Sequence, residues 1–224
     1  MPYAEPTTAG FIYHDADAHV METPDFLMNF AEPEVRARMK PIFITAVKPG
    51  EADMIDELRT RHRDPAYRAR DEAEIMLRKN WAATGSFLKE DRPRALDLLG
   101  FQSQLVFNTF ANKHLCAAEH GDDVELAYGV ARAHNRAMAD FCSVDARLLA
   151  TGYVPLRDFA RARATAEEAL RLGCKALLFA SACPRGHSPS HVALDPLWAL
   201  AQEACAPIVL HVGGGGQLLD PNYF

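Results

Sequence analysis

Cysteine pairing signals, membrane-length apolar runs and dense basic blocks are all missing from this 224-residue sequence, and each absence removes a class of protein. The five cysteines (Cys116, Cys142, Cys174, Cys183, Cys205) are odd in number, widely spaced and without a CxxC pair. Neither a disulfide framework nor a cysteine zinc knuckle fits that pattern, so they read as reduced packing or bystander thiols. No stretch approaches the ~18 to 20 apolar residues of a membrane span, and the opening MPYAEPTTAG lacks the basic-then-apolar order of a secretory signal. The expectation is a cytoplasmic protein with no membrane partner. Lys and Arg number 24 against 30 Asp and Glu, a net charge of −6, which argues against nucleic acid as a partner and favours a small-molecule ligand.

What is present is a chain able to bury a core, with 49% apolar and 24% charged residues. From about residue 92 it alternates a helical pattern with a short, nearly continuous apolar run, the signature of βα units around a buried parallel sheet. The readings are a helix over 95–99 capped by Asp91 and stopped by Gly100, then a strand over 102–107. A helix opens at Asp122, with Glu125 as a capping-box variant, and sets Ala127, Val130, Ala131, His134, Met138 and Phe141 on one face. There follow a strand over 148–154, a helix over 158–172 closed by Gly173, a strand over 176–179, a helix announced by Asp195 and Pro196, and a strand over 208–212. An earlier strand over 11–20 makes five. Between the first and second lies an insertion at about 23–90, whose charge makes it read as a lid or peripheral layer rather than core.

The chemistry concentrates at two strand ends. Along the first strand, alternation puts Asp15, Asp17 and His19 on one face and Ala16, Ala18 and Val20 on the other. Polar groups stacked on the inner face of a buried strand are costly unless something satisfies them, and a divalent cation accepts carboxylate and imidazole lone pairs together. Asp17 and His19 are the natural pair. In the last strand Ile208, Leu210 and Val212 point toward helices and His211 points inward at the C-terminal end, where catalytic groups of βα barrels collect. His14 falls on the opposite face as an interlayer histidine, and His134 reads as helix packing. His62, His114, His120, His187 and His191 read as solvent-facing, with His187 and His191 placed to line a pocket. Gly213 to Gly216 offer bare amides to an anion but lack the lysine and hydroxyl of a P-loop.

These residues resemble the amidohydrolase superfamily, specifically the amidohydrolase-related branch that contains aminocarboxymuconate-semialdehyde decarboxylase and the resorcylate-type decarboxylases. The likeness rests on DADAHVMETPDFL at the first strand and LDPLWALAQEACAPIVLHVGGG at the fifth, with RPRALDLLGFQSQLVF, RLLATGYVPLRD and LGCKALLF in order between them. It implies an α/β fold of (β/α)8 TIM-barrel type holding one divalent metal, with Asp17, His19 and His211 as ligands. Zinc is the first expectation, with manganese or magnesium as alternatives because the first position is Asp-x-His rather than His-x-His. Glu22 occupies an acidic position of the opening motif, either supporting the ligands or touching substrate. The family's further histidine after strand six and its catalytic aspartate at strand eight would fall beyond Phe224. The chain therefore reads as the N-terminal portion of one barrel domain, about five eighths of it. The implied function is hydrolysis or non-oxidative decarboxylation of a small organic acid, lactone or amide, with a homo-oligomer left open. The alternatives are an inert truncated barrel and, behind it, a phosphate-ligand binding domain built on the glycine tract.

Overall fold

The computed structural model describes residues 11–40, 42 and 51–212. Five strands form one parallel sheet in sequential order: β1 (His14–His19), β2 (Ser103–Phe107), β3 (Leu148–Tyr153), β4 (Ala176–Ala180) and β5 (Ile208–His211). Sequential parallel order requires a crossover after every strand. The insertion between β1 and β2 contributes α1 (Pro33–Arg36), α2 (Glu51–Arg63), α3 (Pro65–Ala73) and then α4 (Arg92–Leu99). The pair α5 (Ala111–Glu119) and α6 (Val124–Cys142) joins β2 to β3, α7 (Phe159–Leu172) joins β3 to β4, and α8 (Asp195–Glu203) joins β4 to β5. The sheet curls into a half-barrel with helices outside, an incomplete TIM-barrel architecture as the sequence implies.

Two apolar clusters follow from strand alternation. On the helix side, Val106, Leu148, Ala150, Leu177 and Phe179 meet Met138 and Phe141 of α6, Ala162, Ala166 and Ala169 of α7, and Leu197 and Ala201 of α8. A buried Phe or Met of this kind contributes about 1.5 to 3 kcal/mol. The alanines of α7 let the helix approach β3 so closely that a Cβ on Gly152 would stand 2.8 Å from that of Ala169. On the concave side, Phe107, Tyr153, Leu178 and Ala180 meet Ala111 and Leu115 of α5. The predicted face of α6 is buried at every position named for it. Ile208 and Leu210 do point outward, but they remain 49% and 51% exposed, since no helix among the described residues covers them.

Helix ends depart from expectation at three places. Asp123, not Asp122, caps α6 by accepting from the Leu126 N–H at 3.0 Å, while Asp122 pairs with Arg185. Asp91 makes no cap on α4; it closes a short 3-10 turn and pairs with Arg68 at 3.0 Å. Asp195 is the first residue of α8 rather than its cap, since a 3-10 turn over Val192–Leu194 already leads into the helix. At α7 the reading holds at both ends: Asp158 accepts from the Arg161 N–H at 2.9 Å, and Gly173 takes the left-handed φ of 104° that an L side chain avoids.

The insertion is not a peripheral layer. It buries Leu27, Ala31, Val35 and Ile42 in the concave cluster, and Trp81 and Ile55 are buried as well. Its charges are spent in pairs such as Arg78 with Asp71 at 2.8 Å and Arg94 with Glu72 at 2.8 Å, which leaves the apolar residues between them free to pack. His62, expected at the surface, is buried and held by the Trp81 carbonyl at 2.9 Å. His187 is buried as well, with Nε2 on the Leu156 carbonyl at 2.9 Å, and so contributes no open pocket wall. His191 is exposed, and His114 and His120 are half-buried. All five cysteines are free thiols.

Candidate metal centre

The end of β1 is shaped by a β-bulge. His14 and Asp15 pair with Ser103 and Gln104, but the next pairs are Ala18 with Val106 and His19 with Phe107, so β1 carries one residue more than β2 between them. An extra residue reverses alternation for everything before it. Asp15 therefore faces the helix layer, away from Asp17 and His19, where it accepts from Gln104 Nε2 at 3.1 Å and from the Asp17 N–H at 3.0 Å. His14 lies on the same face as His19, exposed, with Nδ1 2.7 Å from Ser103 Oγ. Both positions correct the expectation from strict alternation.

Beyond the bulge, Asp17 and His19 turn to the concave face, and His211 joins them from β5 through its pairing with Ala180. Asp17 Oδ1 lies 3.3 Å from His19 Nε2 and 3.1 Å from His211 Nε2. The three ligand atoms fall within 4.8 Å of one another, the sole such group among the described residues. The imidazole rings stand edge to face at 5.0 Å, and Phe107 backs His211 at 4.9 Å.

Both histidines are held by the far nitrogen. His19 Nδ1 lies 2.9 Å from the Asn108 carbonyl and 3.1 Å from Thr109 Oγ1, and His211 Nδ1 lies 2.9 Å from the Val212 carbonyl. A carbonyl only accepts, so each Nδ1 carries a proton, and each Nε2 is turned toward Asp17 Oδ1, with His211 Nε2 at hydrogen-bond distance of it. Two imidazole nitrogens and a carboxylate oxygen this close need either a shared proton or a cation between them. The donor set, two neutral imidazoles and one carboxylate, suits a borderline divalent ion. Asp17 is 72% exposed at its side chain against 26% and 19% for His19 and His211, so the cluster is open on the carboxylate side. A cleft of about 440 Å³ adjoins Asp17 and His19 along the open edge of β1.

Glu22 sits behind this cluster, fully buried. Its carboxylate accepts backbone N–H bonds from Thr109 at 2.8 Å, Phe110 at 3.0 Å and Ala111 at 3.1 Å, at the start of α5. Burial pushes its pKa up against the lowering effect of those three bonds. Arg92, to which the sequence assigned no role, is buried and donates to the His19 carbonyl at 3.2 Å, the Gly85 carbonyl at 3.1 Å and Gln104 Oε1 at 3.0 Å. Thr109 and Asn108 were missed too. One acts through its hydroxyl and the other through its carbonyl, at a turn for which the sequence has no motif. Gly213 to Gly216 lie outside the described residues.

A curled parallel sheet with acid and imidazole groups gathered at its C-terminal rim defines a TIM-barrel type of site. Residues 14–223 match the sequence profile of the Amidohydrolase family, and the chain belongs to that family. Among solved structures it is similar to an amidohydrolase from Mycobacterium avium subsp. paratuberculosis K-10, at 19% identity and a TM-score of 0.69 over 91% of this chain. It is also similar to 5-carboxyvanillate decarboxylase from Novosphingobium aromaticivorans DSM 12444, solved with manganese and 3-methoxy-4-hydroxy-5-nitrobenzoic acid, at 18% identity and a TM-score of 0.51 over 96% of this chain. The chain spans 59% and 55% of the lengths of those two proteins. No match was found among curated proteins. No helix among the described residues is long and apolar enough to cross a membrane.

Proposed function

We propose that this chain carries the metal-binding part of a metal-dependent enzyme that hydrolyses or non-oxidatively decarboxylates a small organic acid, lactone or amide. Its 224 residues are then part of a single barrel domain, with 23–90 as the insertion. The observation that carries the reading is the meeting of His19 Nε2, His211 Nε2 and Asp17 Oδ1, with both Nδ1 atoms already committed to carbonyls. The manganese in the decarboxylase with the same fold supports a divalent ion, with zinc and magnesium as the competing identities.

When bound, the ion supplies Lewis acidity, either toward a water for hydrolysis or toward the oxygens of a substrate carboxylate. The chain's own residues hold and orient. His19 and His211 fix two ligand directions because their rings cannot rotate without losing the Nδ1 bonds, and Asp17 offsets one unit of the ion's charge. Phe107 keeps water from the inner flank of His211, while the exposed side of Asp17 leaves room for substrate.

Metal analysis of the full chain, alone and as His19→Ala and His211→Ala, tests this. The expected result is loss of bound metal in both variants with far-UV circular dichroism unchanged. Metal retained in both folded variants would overturn the site. Turnover of carboxylated aromatics, read as carbon dioxide release, against lactones and amides, read as acid release, then separates the two reaction types.

A further inference from the structure

We propose that Glu22 is a positioning residue for His19: a buried anion that fixes the turn at 108–111 and through it the ring orientation of the ligand. This rests on the metal reading above, but its first test does not. The Glu22 carboxylate is fully covered, and three backbone N–H groups from Thr109, Phe110 and Ala111 occupy both of its oxygens, so no face remains for a substrate. Those donors open α5, where a negative charge also meets the positive end of the helix dipole.

The turn they fix is the one that grips His19. The Asn108 carbonyl lies 2.9 Å from His19 Nδ1, and Thr109 Oγ1 lies 3.1 Å from the same atom while donating to the Val20 carbonyl at 2.8 Å. Glu22 itself is kept in place from the insertion. Trp81 Nε1 donates to the Glu22 carbonyl at 3.3 Å, and the Trp81 ring stacks on Phe110 at 5.1 Å. The path from Glu22 to His19 therefore runs through two consecutive residues of one turn, with Thr109 bonded at both ends.

A carboxylate is needed because each oxygen must accept. In Glu22→Gln one oxygen becomes an NH2 group, which faces either the Phe110 N–H or the pair from Thr109 and Ala111 donor to donor. The turn then shifts, and the His19 ring loses its preferred acceptors.

The test is 15N imidazole NMR of the metal-free full chain at pH 8, with signals assigned against His19→Ala. Wild type is expected to show His19 as the Nδ1–H tautomer. Glu22→Gln is expected to show a mixture of tautomers at His19, with His211 unchanged as an internal control because its Nδ1 rests on Val212 instead. If Glu22→Gln does not fold, Glu22→Asp reads the same path: it keeps the charge, draws the carboxylate back from the three N–H groups, and is expected to shift His19 in the same direction. An unaltered His19 tautomer in whichever variant folds would overturn the proposal. Manganese titration of the same samples is expected to give a dissociation constant about 10- to 100-fold weaker in the variant. Wild type that binds no manganese would sink the metal reading while leaving the tautomer result to stand or fall alone.

Discussion

Acid should weaken this fold through one histidine on α6. His134 is fully buried, its Nδ1 is 3.0 Å from Asn135 Oδ1, and its Nε2 has no hydrogen-bond partner among the described residues. Burial lowers its pKa to about 4 from 6.5, offset in part by the Asn135 bond. The unfolded chain therefore takes up this proton first, at pH near 6.5, and the folded chain only near 4. Stability from the neutral ring is complete above pH 6.5 and is lost as pH falls toward 4. At about 1.36 kcal/mol per pKa unit, the 2.5 units between those values amount to about 3 kcal/mol, with most of it gone by pH 4.5. The perturbation is His134→Leu, and the assay is urea unfolding at pH 7 and pH 4.5 in both proteins. Carboxylates with their own shifts, including Glu22 and Glu119, titrate in both and cancel in the difference. The gap in unfolding free energy between wild type and variant should move by about 2 to 3 kcal/mol in favour of the variant on acidification. A gap that stays constant between the two pH values would refute the reasoning.

Three further outcomes follow from packing and pairing. Gly152→Ala places a Cβ 2.8 Å from Ala169 Cβ and 3.3 Å from Cys174 Cβ, neither of which a rotamer change can move; chemical denaturation should show a loss of about 1 to 3 kcal/mol, partly restored by Ala169→Gly. Arg92→Met removes the guanidinium from the His19 and Gly85 carbonyls and from Gln104, leaving buried acceptors unpaired, so stability should fall by about 2 to 4 kcal/mol. Tyr153→Phe takes away the hydroxyl that donates to Glu119 Oε2 at 2.5 Å, leaving a buried carboxyl with the Leu156 N–H as its remaining direct partner among the described residues; thermal melting should drop by several degrees.

The sheet and its helices were legible because each depends on local pattern: apolar runs for β2 to β5, a 3.6-residue period for α6, and Asp158 with Gly173 for α7. Caps were less so, since at Asp122 and Asp123 two adjacent acids offer the same chemistry and only the backbone chooses. The three candidate ligands stood out as polar groups on strands with no local reason to be polar. Asp15 misled for a physical reason: strict alternation assumes equal residue counts in paired strands, and one extra residue in β1 turns it toward Gln104. The insertion was misjudged because its average charge hides residues such as Leu27 and Trp81 that reach the core. Glu22 had a motif position but no visible partner, because what it touches is main chain from 87 to 89 residues further on.

The rim cluster has a mechanical side. β1 and β5 are the two outermost strands of the described sheet, yet side chains from each come within 3.1 Å of one another. A cation held there, as proposed, would act as a clasp across the open arc, joining residues 194 positions apart. Its binding energy would resist any widening of the curl, and melting temperature should then climb with free metal concentration, a gain that His211→Ala abolishes.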